Sequence, residues 1–329
     1  MLIDNHGRPI NYLRLAVTDR CNLRCFYCMP EEGIQYLPKP HLLSYEEMIR
    51  LVTILAEMGI SKVRITGGEP FLRRDIMPFL WKLSEIEGIN KINITTNGVL
   101  TAPLVPELKK LGVNSVNLSL DSLDRQRFYE ITRRDEFPKV WETLETLLAH
   151  DIPVKINTVV MSGKNDEDIL SMVELARDQN VSVRFIEEMP FNGAGLRPDQ
   201  IQNFWSYGRI MDLIRSAYPE IYRLQDEPNS TSYNYQIPNF KGSIGVIAAF
   251  SRTFCGTCNR LRVTPTGVFK TCLYDDGVFN IRDMMRQKLS DDEIKLLISE
   301  ALQSRALDGF EAERNRKNLV SESMTTIGG

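Results

Sequence analysis

Through about residue 187, short β-branched runs alternate with amphipathic helical stretches, and this alternation limits the chain to a parallel sheet with helical crossovers. The candidate strands are residues 12–18, 62–66, 91–95, 115–120, 154–160 and 182–187. Between the first two, Ser44 and Glu47 form an S-x-x-E capping box ahead of an apolar stripe, a helix start. Six such strands make either an open doubly wound sheet or part of a barrel. In both, function gathers at the carboxyl ends of the strands. The chain's unusual residues fall there: cysteines after the first run, Gly67-Gly68-Glu69-Pro70 after the second, Thr96-Asn97-Gly98 after the third, Asp121 after the fourth and Met189-Pro190 after the sixth. A single site shared by several strands follows. After residue 190 the pattern changes to a breaker run, a helix near 207–217, strand-like runs at 233–237, 244–250, 261–264 and 268–271, and helices near 281–287 and 291–305.

The six cysteines form two sets of three. The first is Cys21-Asn-Leu-Arg-Cys25-Phe-Tyr-Cys28; the second is Cys255-Gly-Thr-Cys258, joined by Cys272. A structural zinc site takes four protein ligands, yet there is no seventh cysteine, and His6, His41 and His150 lie outside both sets. On a four-iron cluster, three thiolates leave one iron open to a small ligand. A zinc knuckle stays open as an alternative reading of each set. No apolar run approaches the roughly 20 residues of a spanning helix, and the polar start lacks a signal-peptide core, so a cytoplasmic protein is expected. In that compartment clustered cysteines read as metal ligands rather than disulfides. A net charge of −3 gives no wholesale attraction to nucleic acid or membrane, so any anion must be met locally.

The first set, with Tyr27 as the aromatic before its last cysteine, resembles the signature of the radical S-adenosylmethionine (SAM) enzymes. The resemblance implies that Cys21, Cys25 and Cys28 hold a [4Fe–4S] cluster whose fourth iron is chelated by SAM. Electron transfer then cleaves SAM to methionine and a 5′-deoxyadenosyl radical. It further implies SAM-binding positions at Tyr27, Gly67, Gly68, Glu69, Ser119 and Met189. The second set, within Phe254-Cys255-Gly-Thr-Cys258-Asn-Arg260-Leu-Arg262 and Thr266-Gly-Val-Phe-Lys-Thr-Cys272, resembles the GTP 3′,8-cyclase family of molybdenum cofactor biosynthesis. In that family Cys255, Cys258 and Cys272 would hold a second [4Fe–4S] cluster whose open iron meets guanine.

The resemblance runs from about Leu13 to the last residue. It implies an α/β fold: an incomplete (β/α)6, TIM-like barrel over residues 1–190, its open side closed by a C-terminal α+β cluster-binding domain over 191–329. GTP is the implied substrate and 3′,8-cyclo-7,8-dihydroguanosine triphosphate the product. Arg14, Lys62, Arg64, Thr95, Lys155, Arg184, Arg260 and Arg262 match the family's substrate-binding positions. Arg14, Lys62, Arg64, Lys155 and Arg184 lie in or beside the first six candidate strands, where charge-assisted hydrogen bonds would meet a triphosphate. There is no G-x-x-x-x-G-K-[ST] loop to do so in the P-loop manner. Arg260 and Arg262 are the implied catalytic residues, helped by a terminal Gly328-Gly329 reaching the active site. Such a tail also occurs on small sulfur carriers, or as a disordered end. The implied partners are a low-potential, flavodoxin-like electron donor and the next enzyme of the pathway, with the chain a monomer or homodimer. A radical SAM peptide or nucleoside modifier with an auxiliary cluster, and a non-catalytic zinc- or cluster-binding protein, are the competing readings.

Overall fold

The structure is a computed structural model, and it describes residues 1–189, 191, 203–317 and 323–327. After a short hairpin of β1 (Leu2–Ile3) and β2 (Pro9–Ile10), six strands follow in sequence: β3 (Tyr12–Ala16), β4 (Lys62–Thr66), β5 (Lys91–Thr96), β6 (Ser115–Ser119), β7 (Val154–Val160) and β8 (Val181–Glu187). They lie side by side in that order, each parallel to the next. The crossovers are helical, including Tyr45–Glu57, Ile76–Ser84, Val105–Leu111, Phe137–Ala149 and Ile169–Asp178.

Side chains alternate across a strand, and here the two faces differ in chemistry. Leu13 and Leu15, Val63 and Ile65, Ile92 and Ile94, Val116 and Leu118, and Val183 and Phe185 are buried together with the helices' apolar stripes. Met48, Leu51, Val52 and Leu55 make one such stripe on the first crossover helix. Each such side chain, fully buried, stabilises the fold by about 1.5–3 kcal/mol. The same helix begins at the expected capping box: Ser44 Oγ accepts from the Glu47 N–H at 3.2 Å, and the Glu47 carboxylate accepts from the Ser44 N–H at 2.7 Å. A second box, Ser290 with Glu293, starts the helix Asp291–Gln303.

Residues beyond 190 extend this sheet at both edges instead of building a separate one. β9 (Tyr222–Arg223), β10 (Tyr233–Gln236) and β11 (Ser243–Ile247) join on the β8 side, where β11 runs parallel to β8. β12 (Arg260–Val263), β13 (Val268–Lys270) and β14 (Phe279–Asn280) join on the β3 side, where β12 runs parallel to β3. The twelve strands thus carry eight parallel ones at the centre and antiparallel hairpins outside. Local sequence pattern locates such strands but carries no information on which remote neighbour they pair with. Among the described residues, no helix is long and apolar enough to cross a membrane.

Candidate active site

The polar face of the sheet carries a cavity of about 400 Å³. Strand register decides what lines it. Arg262, Arg14 and Arg64 are direct neighbours across β12, β3 and β4. Thr95, Asn117 and Lys155 are neighbours across β5, β6 and β7, and Asn157 faces Arg184 across β7 and β8. All of these residues reach the cavity, as do Lys62 and Arg260. Arg184 also lies opposite Gly245 on β11, where an added Cβ would press to 3.2 Å from its Cγ, so this glycine leaves the arginine room.

These cations crowd one another, and Glu227, which also lines the cavity, offsets part of the charge at Lys62, Lys155 and Arg184. Arg14 Nε, Arg184 Nε, and Arg260 Nε and Nη2 are buried without a protein partner among the described residues. Burial, and then the Arg184 and Arg64 guanidiniums, bring Lys155 down to about 8. Burial and Arg64 bring Arg184 down to about 10, and burial and Arg260 do the same to Arg262. Burial would raise Tyr12, but Arg64 and Arg14 outweigh it and bring the phenol down to about 7. Its oxygen accepts from Arg64 Nε, and Lys62 Nζ stands 4.5 Å from its ring centre. Buried like charges with unmet donors cost free energy that a polyanion would recover.

All six cysteines are free and half-buried, and all six line this one cavity. The first set hangs on the loop after β3, which the turn after β4 grips by its backbone. Gly68 N–H donates to Thr18 O at 2.8 Å, and Glu69 N–H to Arg20 O at 2.7 Å. A Cβ on Gly68 would stand 2.1 Å from Arg20 O, and one on Gly67, whose φ is +146°, 2.5 Å from Thr18 O. Glycine is required by that close approach. Glu69, in contrast, does not reach the cavity: it is fully buried, and its carboxylate accepts from Thr96 Oγ1 at 2.9 Å, Asn97 N at 2.7 Å and Phe71 N at 3.1 Å. Burial raises it to about 7. Tyr27 lines the cavity and donates to Asp121 Oδ2 at 2.8 Å. Ser119 and Met189 line it too.

The two sets differ in what surrounds their sulfurs. Burial pushes Cys21 up to about 11 and Cys28 up to about 12. Among the described residues Cys21 Sγ accepts from neutral donors, the Leu23 N–H at 3.4 Å and Asn97 Nδ2 at 3.6 Å. In the second set burial likewise raises Cys272 to about 11, yet Cys258 falls to about 6. There burial is outweighed by the Arg260 and Arg305 guanidiniums, and Arg305 Nη2 sits 3.2 Å from Cys258 Sγ. Among the described residues no three His, Cys, Asp or Glu side chains converge on a single metal ion. Thiolates that each hold a different iron of one cluster have no need to converge so closely. Each set offers three soft donors and leaves room at the cavity, which fits a cluster with one open iron better than a closed zinc site.

Gly328 and Gly329 lie outside the described residues. The five residues before them reach the first set: Ser323 Oγ donates to Cys28 O at 2.6 Å, and Met324 and Thr325 line the cavity. Ile327 is buried with Phe191, Tyr274 and Ala312 in a small second core. Sequence reasoning did not single out Tyr12, Asn157 or the segment Glu227–Thr231, which also line the cavity. A signal for the first two was present, since Tyr12 and Asn157 stand two residues from Arg14 and Lys155 on their strands and share the polar face. Arg305 carried no local signal at all.

A family profile described as Radical SAM superfamily matches residues 15–176, and one described as Molybdenum Cofactor Synthesis C matches residues 181–310. The GTP 3′,8-cyclase of Syntrophomonas wolfei is 42% identical, with 100% of each chain covered. The chain belongs to the GTP 3′,8-cyclase family. The molybdenum cofactor biosynthesis protein moc-5 of Caenorhabditis elegans is 41% identical over 92% of this chain and 50% of its own. The chain therefore spans about half the length of that relative. Among solved structures, Streptococcus suis SuiB bound to S-adenosylmethionine superposes with a TM-score of 0.57 at 16% identity, covering 88% of this chain and 68% of SuiB. That likeness shows that this cyclase-family chain has the radical SAM α/β fold with its parallel sheet.

Proposed function

We propose that the chain converts GTP to (8S)-3′,8-cyclo-7,8-dihydroguanosine 5′-triphosphate in the biosynthesis of the molybdenum cofactor. One observation carries this reading: two three-thiol sets and a group of under-neutralised buried cations face the same cavity. Cys21, Cys25 and Cys28 would hold one [4Fe–4S] cluster, with SAM on its open iron. Cys255, Cys258 and Cys272 would hold the second, with guanine on its open iron. Cluster and SAM together supply one-electron, hydrogen-abstracting chemistry.

The chain's own residues bind, orient and exclude water. Arg14, Lys62, Arg64, Lys155 and Arg184 take the triphosphate through charge-assisted hydrogen bonds, with the Thr95 hydroxyl beside them. Arg260 and Arg262 hold the nucleoside at the second set and act in catalysis. Tyr27, Gly67, Gly68, Ser119 and Met189 form the SAM pocket, and Glu69 serves it by fixing the turn that carries the two glycines. Ribose C3′ and guanine C8 belong to one GTP molecule, so ring closure is already intramolecular. The site's part is to hold ribose and base in the conformer that brings the two carbons together while excluding water.

Residues 1–190 act in this reading as an incomplete (β/α)6 barrel, and residues 191–329 as the domain that closes its open side. The family boundary between residues 176 and 181 falls near that division, with β8 on its C-terminal side. Gly328-Gly329 would extend the 323–327 segment into the cavity and assist cyclisation. A flavodoxin-like donor would supply electrons, the next pathway enzyme would take the product, and a cytoplasmic monomer or homodimer is the working form. The test is anaerobic turnover of reconstituted protein with dithionite, SAM and GTP. Cyclised guanosine triphosphate together with 5′-deoxyadenosine supports the reading. SAM cleavage indifferent to GTP points to a peptide or nucleoside modifier, and zinc without sulfide ends the radical reading. Removing Gly328-Gly329 should impair cyclisation more than SAM cleavage, and full activity without them would dismiss the tail.

A further inference from the structure

The N-terminal hairpin reaches the second cysteine set through one buried carboxylate. Asp4 is 4% exposed, and its Oδ2 accepts from Arg8 Nε at 2.6 Å and from Arg305 Nη1 at 3.0 Å. Its Oδ1 accepts from the His6 and Arg8 N–H groups at 3.0 and 2.9 Å. The two arginines so fixed then bond the cysteine loops from behind. Arg8 Nη1 donates to Cys255 O at 3.0 Å. Arg305 donates from Nη1 to Cys258 O, and from Nε to Thr271 O beside Cys272, each at 3.0 Å. Its Nη2 donates to Arg260 O at 3.1 Å and to Cys258 Sγ at 3.2 Å. Arg305 is 4% exposed, so water screens this charge little.

We infer that Arg305, oriented by Asp4, is a positioning residue that raises the reduction potential of the second cluster by donating a charged N–H to the Cys258 thiolate. The inference rests on the proposed second cluster. A one-electron reduction adds negative charge to the cluster, and a fixed guanidinium against one of its sulfurs favours the reduced form. Loss of the guanidinium moves the couple the other way. Asp4 lies on a different element from Arg305 and from every cysteine, yet it fixes the direction in which that charge points.

The experiment uses the full-length chain with Cys21, Cys25 and Cys28 replaced by Ala, so that only the second cluster is loaded. Iron and sulfide are counted, and the midpoint potential is read by electron paramagnetic resonance in a redox titration, for the parent and for Arg305→Gln, Arg305→Lys and Asp4→Asn. The expected result is about four irons in each, with Arg305→Gln shifting the oxidised-to-reduced ratio at fixed potential on the order of tenfold toward oxidised, which is about 59 mV for a one-electron couple. Arg305→Lys, which keeps a charged donor, should fall between the two. Asp4→Asn removes a negative charge, which alone favours the reduced form, along with the bond that orients Arg305. Because Arg305 touches the sulfur and Asp4 does not, a smaller shift toward oxidised is expected, and a shift toward reduced would remove Asp4 from the inference. If Arg305→Gln loses its cluster, the potentials of Arg305→Lys and Asp4→Asn decide. An unchanged potential in every variant that keeps four irons overturns the inference, and so does loss of iron from all three. A parent without iron and sulfide overturns the cluster reading itself, which is a separate result.

Discussion

The two cysteine sets share one cavity but are built in different ways, and the contrast separates what each demands of the fold. The first is a short loop gripped by backbone. Gly67 and Gly68 admit the chain at Thr18–Arg20, and the hydrogen bonds that reach Cys21 Sγ come from neutral groups. The second is spread over a loop and a hairpin, and guanidiniums hold it: Arg305 and Arg8 behind, and Arg260 beside Cys258. Neutral donors leave the first sulfurs electron-rich, which suits the electron-giving role proposed for that set. Charged donors suit the substrate-holding role proposed for the second set, where added negative charge would be stabilised.

The largest effect that can break this contrast is loss of a cluster. Cys25→Ala should cut iron from about eight to about four and stop both SAM cleavage and cyclisation. Cys258→Ala should lose the same iron and stop cyclisation, yet leave 5′-deoxyadenosine formation in place when assayed by chromatography. Equal loss of SAM cleavage in both variants would mean that the sites do not divide the work. Next in size is the cation group between the sets. Removing the Arg184 side chain takes away charge-assisted bonds worth about 1.5–3 kcal/mol, so Arg184→Ala should weaken GTP binding by calorimetry roughly tenfold to a hundredfold. SAM binding should stay as it was.

A smaller effect is a pH dependence set by Lys155, held near 8 by burial and by Arg184 and Arg64. A triphosphate favours the protonated amine, so binding takes up a proton once the free protein has lost it. GTP affinity should therefore fall as pH rises through about 8, by up to about tenfold per unit. Lys155→Met should bind more weakly and lose the part of the slope near pH 8, leaving the part near 7 that Tyr12 sets. A slope unchanged in the variant would place the titration elsewhere. Smallest is the neutral contact at the first set. Ser323→Ala deletes the bond to Cys28 O and should cost about 0.5–1.5 kcal/mol, seen as faster hydrogen exchange over residues 323–327. Stability elsewhere should not change, and a shift as large as that of Arg305→Gln in cluster potential would erase the contrast.

Much of this was legible in the chain because its signals are local. A capping box needs four consecutive residues, and Ser44 with Glu47 starts its helix as expected. The strands from 62–66 to 182–187 lie within a residue of their expected bounds at each end, while the first ends at Ala16, two residues short of expectation. Glu69 was a different matter. Its type and place suggest a contact to SAM, and three donors of the fold hold its carboxylate in the turn. A side chain's direction depends on neighbours that sequence spacing does not reveal.

The sequence by itself determined two soft-donor sets of three, a run of parallel strands, and a polar alternation along those strands. Spacing and period are short-range properties, written in adjacent residues. Tertiary structure alone decided that both sets face one cavity, that β11 and β12 continue the same sheet, and that register stacks Arg262, Arg14 and Arg64 in a row. It alone joined Asp4 to Arg305 across 301 positions of chain, behind a cysteine near neither in sequence. Contacts of that kind exist only once the hairpin, the sheet edge and the last long helix have packed, because a buried carboxylate is stable only where its donors already converge.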